Sequence, residues 1–301
     1  MIESSRRFVV SKVGCVGGGS CDRPGPDCNF RVAWAINPHM EIGSVRPEWA
    51  EGQHRTFVRT LERVGAQVEL LPFVHGAFDS VFAKDNAVLV ERDGTFAALL
   101  GQPRFAERTA EQAARAAALG GLGAQVTTAR HPLEGGDVVM LPGARGAFVG
   151  HGFRSSEHAA GDLEALLGFE VMPLELRDER LYHLDMALAV LDDGTALVCE
   201  EALTPAALRA VERHQAVRTL LPVPLSEALR FGVNLVQVGR SIVWGADAPA
   251  TSRALADRGY TVYQVALDAF HRAGGSAACL VSRVHRQVAL DVPLAAPSNA
   301  A

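Results

Sequence analysis

Gly65-Ala66-Gln67-Val68, Gly123-Ala124-Gln125-Val126, Gly168-Phe169-Glu170-Val171 and Gly259-Tyr260-Thr261-Val262 repeat one pattern along a chain of 301 residues. A degenerate fifth instance is His214-Gln215-Ala216-Val217. Successive valines are 58, 45, 46 and 45 residues apart, the range of a repeated supersecondary unit. Upstream of each instance the apolar residues fall at helical spacing. Phe57, Leu61 and Val64 do so in the first unit, and Leu163, Leu166 and Leu167 in the third. A glycine after such a run stops a helix, because it takes the left-handed conformation without a Cβ penalty. The valine then opens a short β segment. Further strand candidates lie between: Arg31 to Ile36, Ala87 to Val90, Ala147 to Gly150, Thr195 to Cys199 and Ser241 to Trp244. Each unit reads as strand, helix, strand and loop. Five such units in one α/β domain predict a radial, pseudo-fivefold arrangement rather than an open doubly wound sheet.

The chemically loaded residues follow the same period. Counted from each unit's valine, Asp85 comes 17 residues later, Glu134 8, His183 12, Asn234 17 and Cys279 17. In a radial arrangement those five loops converge on one site. Cys279 stands in the Gly-rich turn Gly274-Gly275-Ser276-Ala277-Ala278-Cys279. Taken singly, a cysteine in a small-residue run is a packing residue, and His183 after Tyr182 reads as a core histidine. Together they supply a nucleophile, a base and an orienting carboxylate, which covalent catalysis requires.

In their order, Asp79-Ser-Val-Phe-Ala-Lys-Asp85, Glu134-Gly-Gly-Asp137, His183-Leu-Asp185 and Gly274-Gly275 before Cys279 resemble the amidinotransferase and deiminase superfamily of guanidino-group modifying enzymes. In size the chain is most similar to the dimethylarginine dimethylaminohydrolases. The resemblance runs from about Asn29 to Arg286 and implies the pentein fold, a five-bladed α/β propeller. It implies Cys279 as nucleophile, His183 as acid and base, and Glu134 as its carboxylate. Glu134, Asp85 and Asp185 would hold the guanidinium, with Asp79 as a further substrate-binding residue and Arg154 and Arg108 on a substrate carboxylate. Carboxylates suit this role, since they accept the N–H groups of a planar cation in pairs. The implied reaction is hydrolysis of arginine or a substituted arginine, through an amidino-cysteine, to a ureido product and ammonia or an alkylamine.

The pattern departs from the family in places. Lys84 precedes Asp85 where mammalian-type methylarginine hydrolases carry an acid, and His183-Leu-Asp185 is closer to arginine deiminases and amidinotransferases. A second carboxylate suits an unmethylated guanidinium, because a methylated nitrogen would leave it short of a donor. Ala278 stands where amidinotransferases place a histidine and arginine deiminases an arginine. Three further readings compete with hydrolysis: an amidinotransferase, a non-catalytic binding propeller of the ribosome anti-association type, and an acyl-transfer cysteine hydrolase. The chain's modest length leaves less lid to exclude water and favours the hydrolase. The second lacks the Cys, His and Glu set, and the third its local signature around Cys279. The segment Cys28 to Met40 is expected to supply part of a lid.

A net charge of −5 with scattered Lys and Arg argues against nucleic acid as a partner. No apolar stretch is long enough to span a membrane, and Met1 to Lys12 lacks a signal-peptide pattern. A cytoplasmic protein is expected, with a small guanidine as partner and room for a homo-oligomer. No cofactor is expected, since there is no phosphate-binding Gly loop. Nor is a metal: His158, His214, His271 and His285 show no ligand spacing, and Cys15, Cys21 and Cys28 read as incidental thiols. The division expected is a Gly/Cys-rich tail over 1–28, one catalytic domain over 29–286, and a tail over 287–301.

Overall fold

In a computed structural model, residues 6–15 and 25–287 are described. Two strands open the chain, β1 (Arg6–Ser11) and β2 (Ala66–Leu71), joined through helix α1 (Pro47–Arg63). Four units of one topology follow. The first is β3 (Ala87–Arg92), β4 (Thr95–Leu100), α2 (Ala110–Gly121) and β5 (Gln125–Thr128). The next is β6 (Val138–Met140), β7 (Ala147–His151), α3 (Ala159–Leu167) and β8 (Val171–Glu175). Then come β9 (Leu188–Val190), β10 (Thr195–Val198), α4 (Pro205–Arg213) and β11 (Thr219–Pro222). The last holds β12 (Leu235–Val238), β13 (Ser241–Trp244), α5 (Pro249–Asp257) and β14 (Thr261–Gln264). Strand β15 (Val281–Arg286) ends the described chain.

In each unit the first strand runs antiparallel to the second, and a helix returns the third parallel to the second. The repeat glycines are the helix stops: Gly65, Gly123, Gly168 and Gly259 have φ of 97°, 86°, 74° and 80°. In the unit of β9–β11 His214 ends α4 with an extended backbone instead, and the strand after it starts only at Thr219. Thr204 caps that helix by accepting from the Ala207 N–H at 3.3 Å, and Pro205 takes its first position, where no N–H is needed.

The first strands of all units, β3, β6, β9, β12 and β15, line one axial cavity of ≈140 Å3. That common lining defines a pseudo-fivefold axis, and the architecture is the five-bladed α/β propeller expected. Blades pack through aliphatic clusters. One joins Val139 and Phe148 to Leu188 and Leu197 and on to Leu235 and Trp244, across three neighbouring blades.

The N-terminal stretch departs from expectation. Residues 1–28 were read as a tail, yet Arg6–Ser11 is the middle strand of the fifth blade. Val10 pairs antiparallel with Val281 in β15, and Phe8 parallel with Val68 in β2. The run Phe8-Val9-Val10 is buried on both faces of its sheet, which a six-residue segment beside a Gly-rich stretch does not advertise. Strand β15 also pairs in parallel with β3, Val284 opposite Leu89, so the two chain ends close the ring. The expected strand Arg31 to Ile36 is absent, and that segment crosses the loop end of the propeller as irregular chain. Cys21 and all of the C-terminal segment after Gln287 lie outside the described residues. Among those described, no helix is long and apolar enough to cross a membrane.

If β1 closes the ring, truncating Phe8, which is 1% exposed, removes a core side chain. Phe8→Ala is expected to lower the unfolding free energy by about 3–5 kcal/mol. Urea denaturation measures this, and a change below about 0.5 kcal/mol, the scale of a surface substitution, would contradict the assignment.

Candidate active site

Asp85, Glu134, His183, Asp185, Asn234 and Cys279 each sit shortly before the first strand of a blade, whereas Arg108 and Arg154 follow the second strands β4 and β7. Asp85 lies in the short helix Ala83–Asn86 leading into β3, and Glu134 precedes the turn Gly135–Asp137 that enters β6. His183 and Asp185 flank the entry to β9, Asn234 abuts β12, and Cys279 stands two residues before β15. Convergence follows from the axis, and these loops meet around a narrow pocket of ≈10 Å3. Asp79, Asp85, Arg108, Arg154, His183 and Cys279 all line it, as do Ile36, Asn37 and Met40 of the expected lid segment.

The larger axial cavity is on the strand side of this loop layer. Its lining is mainly aliphatic, with Lys84, Asp185, Arg283 and His285 its only charged or titratable members. Cys279 and His183 line the smaller pocket and not this cavity, Asp185 lines the cavity and not the pocket, and Glu134 lines neither, lying beneath the pocket against His183.

The thiol of Cys279 is buried and held from two sides. The Asn234 side-chain amide donates to Sγ at 3.2 Å, while its Oδ1 accepts the Ala278 N–H at 2.9 Å. Sγ also lies 3.8 Å from Asp185 Oδ2. Burial, then the charges of Asp185 and Asp85, push this thiol well above the ordinary range. The thiol is therefore protonated at neutral pH unless a cation is placed beside it.

His183 is the opposite case. Burial disfavours its charge, but Asp85, Asp137 and the Glu134 hydrogen bond overcome this and raise it to about 9. Its Nε2 lies 3.0 Å from Glu134 Oε2, and Nδ1 3.7 Å from Asp85 Oδ1. Glu134 is fully buried, which favours its neutral form. The His183 hydrogen bond and the guanidinium groups of Arg154 and Arg108 override that and hold the carboxylate well below the usual range. An ion pair is thus fixed beneath the pocket at neutral pH.

The glycines of Glu134-Gly-Gly-Asp137 are dictated by contact. A Cβ on Gly136 would lie 2.5 Å from His183 Nδ1 and 2.7 Å from Asp85 Oδ1. Its N–H instead donates to Asp85 Oδ1 at 3.0 Å. On Gly135 a Cβ would fall 1.9 Å from the Lys84 carbonyl.

Asp185 shows why Lys84 departs from the mammalian pattern: Lys84 Nζ lies 2.9 Å from Asp185 Oδ2. The other oxygen, Oδ1, is buried and lacks a hydrogen-bond partner among the described residues. Asp79 accepts from the Trp34 indole at 2.7 Å, and burial, partly offset by Arg108, raises it to about 6.

The two arginines reach the pocket, but as parts of its charge network. Arg108 donates to Asp85 Oδ2 at 2.6 Å, to Glu111 and to the Asp79 carbonyl. Arg154 donates to Glu134 Oε2 at 3.0 Å and to the Ile36 carbonyl at 2.8 Å, and stacks on Phe105 and Tyr182. Sequence reasoning missed Glu111, which carries no motif and meets Arg108 from its own helix face. It missed Tyr182, whose hydroxyl donates to the Gly274 carbonyl at 2.7 Å although it neighbours His183 in the chain. Asp137, raised to about 6 by burial, was read only as part of the Glu-Gly-Gly-Asp motif. It accepts the Ser155 and Leu184 N–H groups and so ties two loops together.

A five-bladed α/β propeller with cysteine, histidine and paired carboxylates at the loop end defines a guanidino-group modifying pentein. The family model described as N,N dimethylarginine dimethylhydrolase, eukaryotic, matches residues 43–286. A dimethylarginine dimethylaminohydrolase of Mycobacterium tuberculosis is 33% identical over 265 residues, 86% of this chain and 84% of that one. The chain therefore belongs to the dimethylarginine dimethylaminohydrolase family. It is also 30% identical over 272 residues to the bifunctional arginine dihydrolase/ornithine cyclodeaminase AgrE of Nostoc, spanning 38% of that longer protein. Among solved structures, the N-terminal domain of ArgZ, an arginine dihydrolase from cyanobacteria, superposes with a TM-score of 0.84 at 26% identity. That superposition covers 94% of this chain and 99% of the domain.

The His183–Glu134 pair sets a pH dependence of stability. A histidine raised from about 6.5 unfolded to about 9 folded stabilises fully below the lower value, and this is lost as pH rises through the upper one. The stability advantage of the wild-type chain over His183→Gln is therefore expected to shrink between about pH 6.5 and about pH 9. Urea unfolding across that range checks it, and a pH-independent difference would contradict the protonated pair.

Proposed function

We propose that this protein is a cysteine-dependent hydrolase of the guanidinium group of arginine or a methylarginine, and that Cys279, His183 and Glu134 are its catalytic residues. The observation that most strongly supports this is the pairing of a high thiol with a protonated imidazole at the loop end of one pocket. A bound guanidinium supplies the positive charge that this thiol lacks, so the nucleophile is activated only when its target is present.

In this reading the Cys279 thiol releases its proton to solvent as the guanidinium binds, and the thiolate adds to the central guanidinium carbon. His183 donates its proton to the departing nitrogen as the C–N bond breaks, leaving an amidino-cysteine and a free amine or ammonia. Neutral His183 then takes a proton from water, whose oxygen adds to the same carbon. The C–S bond breaks, the thiolate returns, and the product carries a ureido group. Glu134 holds the imidazole in place and stabilises its charged form through both steps.

Asp85, Asp185 and Asp79 are proposed as acceptors for the guanidinium N–H groups. Arg108 already places a guanidinium nitrogen on Asp85, and this pairing shows the geometry that carboxylate accepts. The buried Oδ1 of Asp185 needs an N–H donor, since an unpaired buried acceptor costs about 1–3 kcal/mol. A doubly methylated nitrogen offers none, and a bare one offers two. Asymmetric dimethylarginine keeps one bare nitrogen and meets this need in one orientation only, whereas arginine meets it in either, so arginine is placed first. Arg154 and Arg108, already paired with Glu134 and with Asp85 and Glu111, are proposed to balance the charge of these buried carboxylates.

Purified protein incubated with arginine, monomethylarginine and asymmetric dimethylarginine should release a ureido amino acid without any acceptor amine. Cys279→Ser is expected to abolish turnover, and ornithine appearing only with an acceptor would make the enzyme a transferase instead. Asp185→Asn keeps the shape but weakens acceptance. It should cut kcat/KM for arginine by about 10- to 100-fold, the value of a charge-assisted hydrogen bond, and change that for dimethylarginine far less. Equal losses on both would overturn the assigned preference.

A further inference from the structure

Cys15, Cys28 and His75 form a second cluster outside the catalytic pocket, where the sequence had suggested only incidental thiols. The backbone builds it. The Cys15 N–H donates to the Cys28 carbonyl and the Phe30 N–H to the Val13 carbonyl, both at 2.8 Å, with Gly14 bridged antiparallel to Asn29. The Gly76 N–H donates to the Asp27 carbonyl at 3.0 Å, which draws in the loop carrying His75. One donor atom from each of the three lies within 4.8 Å of the others, and Cys28 Sγ is 3.4 Å from His75 Nδ1.

We propose that these three residues are a structural site for a thiophilic divalent cation, zinc foremost. Bonds of about 2.3 Å to sulfur and about 2.05 Å to nitrogen at a tetrahedral ion separate those two atoms by about 3.5 Å. The Cys28–His75 spacing of 3.4 Å matches this, and Cys15, within 4.8 Å of both, needs only a small side-chain shift to join them. Two thiolates and a neutral imidazole are a donor set that favours zinc over calcium or magnesium, which prefer oxygen. Loading releases one proton from each thiol, so the two thiolate charges balance the dication and affinity rises with pH. A water or a further donor completes the tetrahedron. His75 is exposed and Cys28 buried, which gives the ion a route in from solvent.

The position suggests what the ion would do. Cys28 opens the segment that lines the pocket with Ile36, Asn37 and Met40, and His75 stands four residues before Asp79. These two pieces of chain also meet through the Trp34 indole on Asp79 and through Arg31 over the Phe78 ring. An ion joining Cys28 to His75 would brace the same two pieces from behind.

The test is metal content of the full chain after equilibration with buffered zinc, read by elemental analysis. About one zinc per chain is expected for the wild type and for Cys279→Ser, and near none for Cys28→Ser and His75→Ala. Cobalt added to Cys279→Ser protein should give a thiolate-to-metal absorption band that Cys28→Ser lacks. Because Cys28→Ser could fail to fold, the cobalt spectrum of the Cys279→Ser protein decides on its own: bands of nitrogen and oxygen ligation only would overturn the site. So would zinc that leaves with Cys279→Ser. Two thiols lost without metal and recovered with reductant would overturn it in favour of a disulfide.

Discussion

The pairing of β15 with β1 is the constraint on which the rest depends. Cys279 ends a tight turn after Gly274-Gly275, and its position is fixed only because the next residues, from Val281, enter a ladder between β1 and β3. A strand from one end of the chain and a strand from the other thus make one blade, and with it the ring. Once the ring is closed, each blade's first strand begins at the same height about the axis. The residue before each strand has no choice but to point at its counterparts.

What those residues then do is governed by burial of charge. Carboxylates at Asp79, Asp85, Glu134 and Asp185 are all almost fully buried, a situation tolerated only with partners close by. Lys84, Arg108, Arg154 and His183 provide them. The same network sets the acid–base roles. His183 is kept charged by the acids around it, while Cys279, facing acids from a desolvated position, is kept neutral. A cationic substrate reverses the second condition without disturbing the first, which ties activation of the nucleophile to occupancy of the site.

Much of this was legible in the chain. The Gly-x-x-Val stops fixed the helix-to-strand joints, and the offsets of Asp85, Glu134, His183, Asn234 and Cys279 anticipated one convergent site. The offset of Asn234 placed it among these loops, though it did not show its hydrogen bond to Cys279. Arg108 and Arg154 were identified by position alone, and their engagement with Asp85, Glu111 and Glu134 was not. Such contacts join residues tens of positions apart and leave no periodic trace. The closing strand Arg6–Ser11 was missed for a related reason. A short apolar run beside a Gly-rich stretch acquires its meaning only from the partners it finds.

The sequence by itself determined the repeating unit, its period and the class of chemistry, because turn glycines, amphipathic spacing and reactive side chains act locally. Tertiary structure decided which strand closes the ring, which carboxylate pairs with which cation, and how Cys15 and Cys28 come to lie beside His75. Those are matters of distance and burial between segments remote in the chain. They arise only when the ring closes and the loop ends share one low-dielectric space.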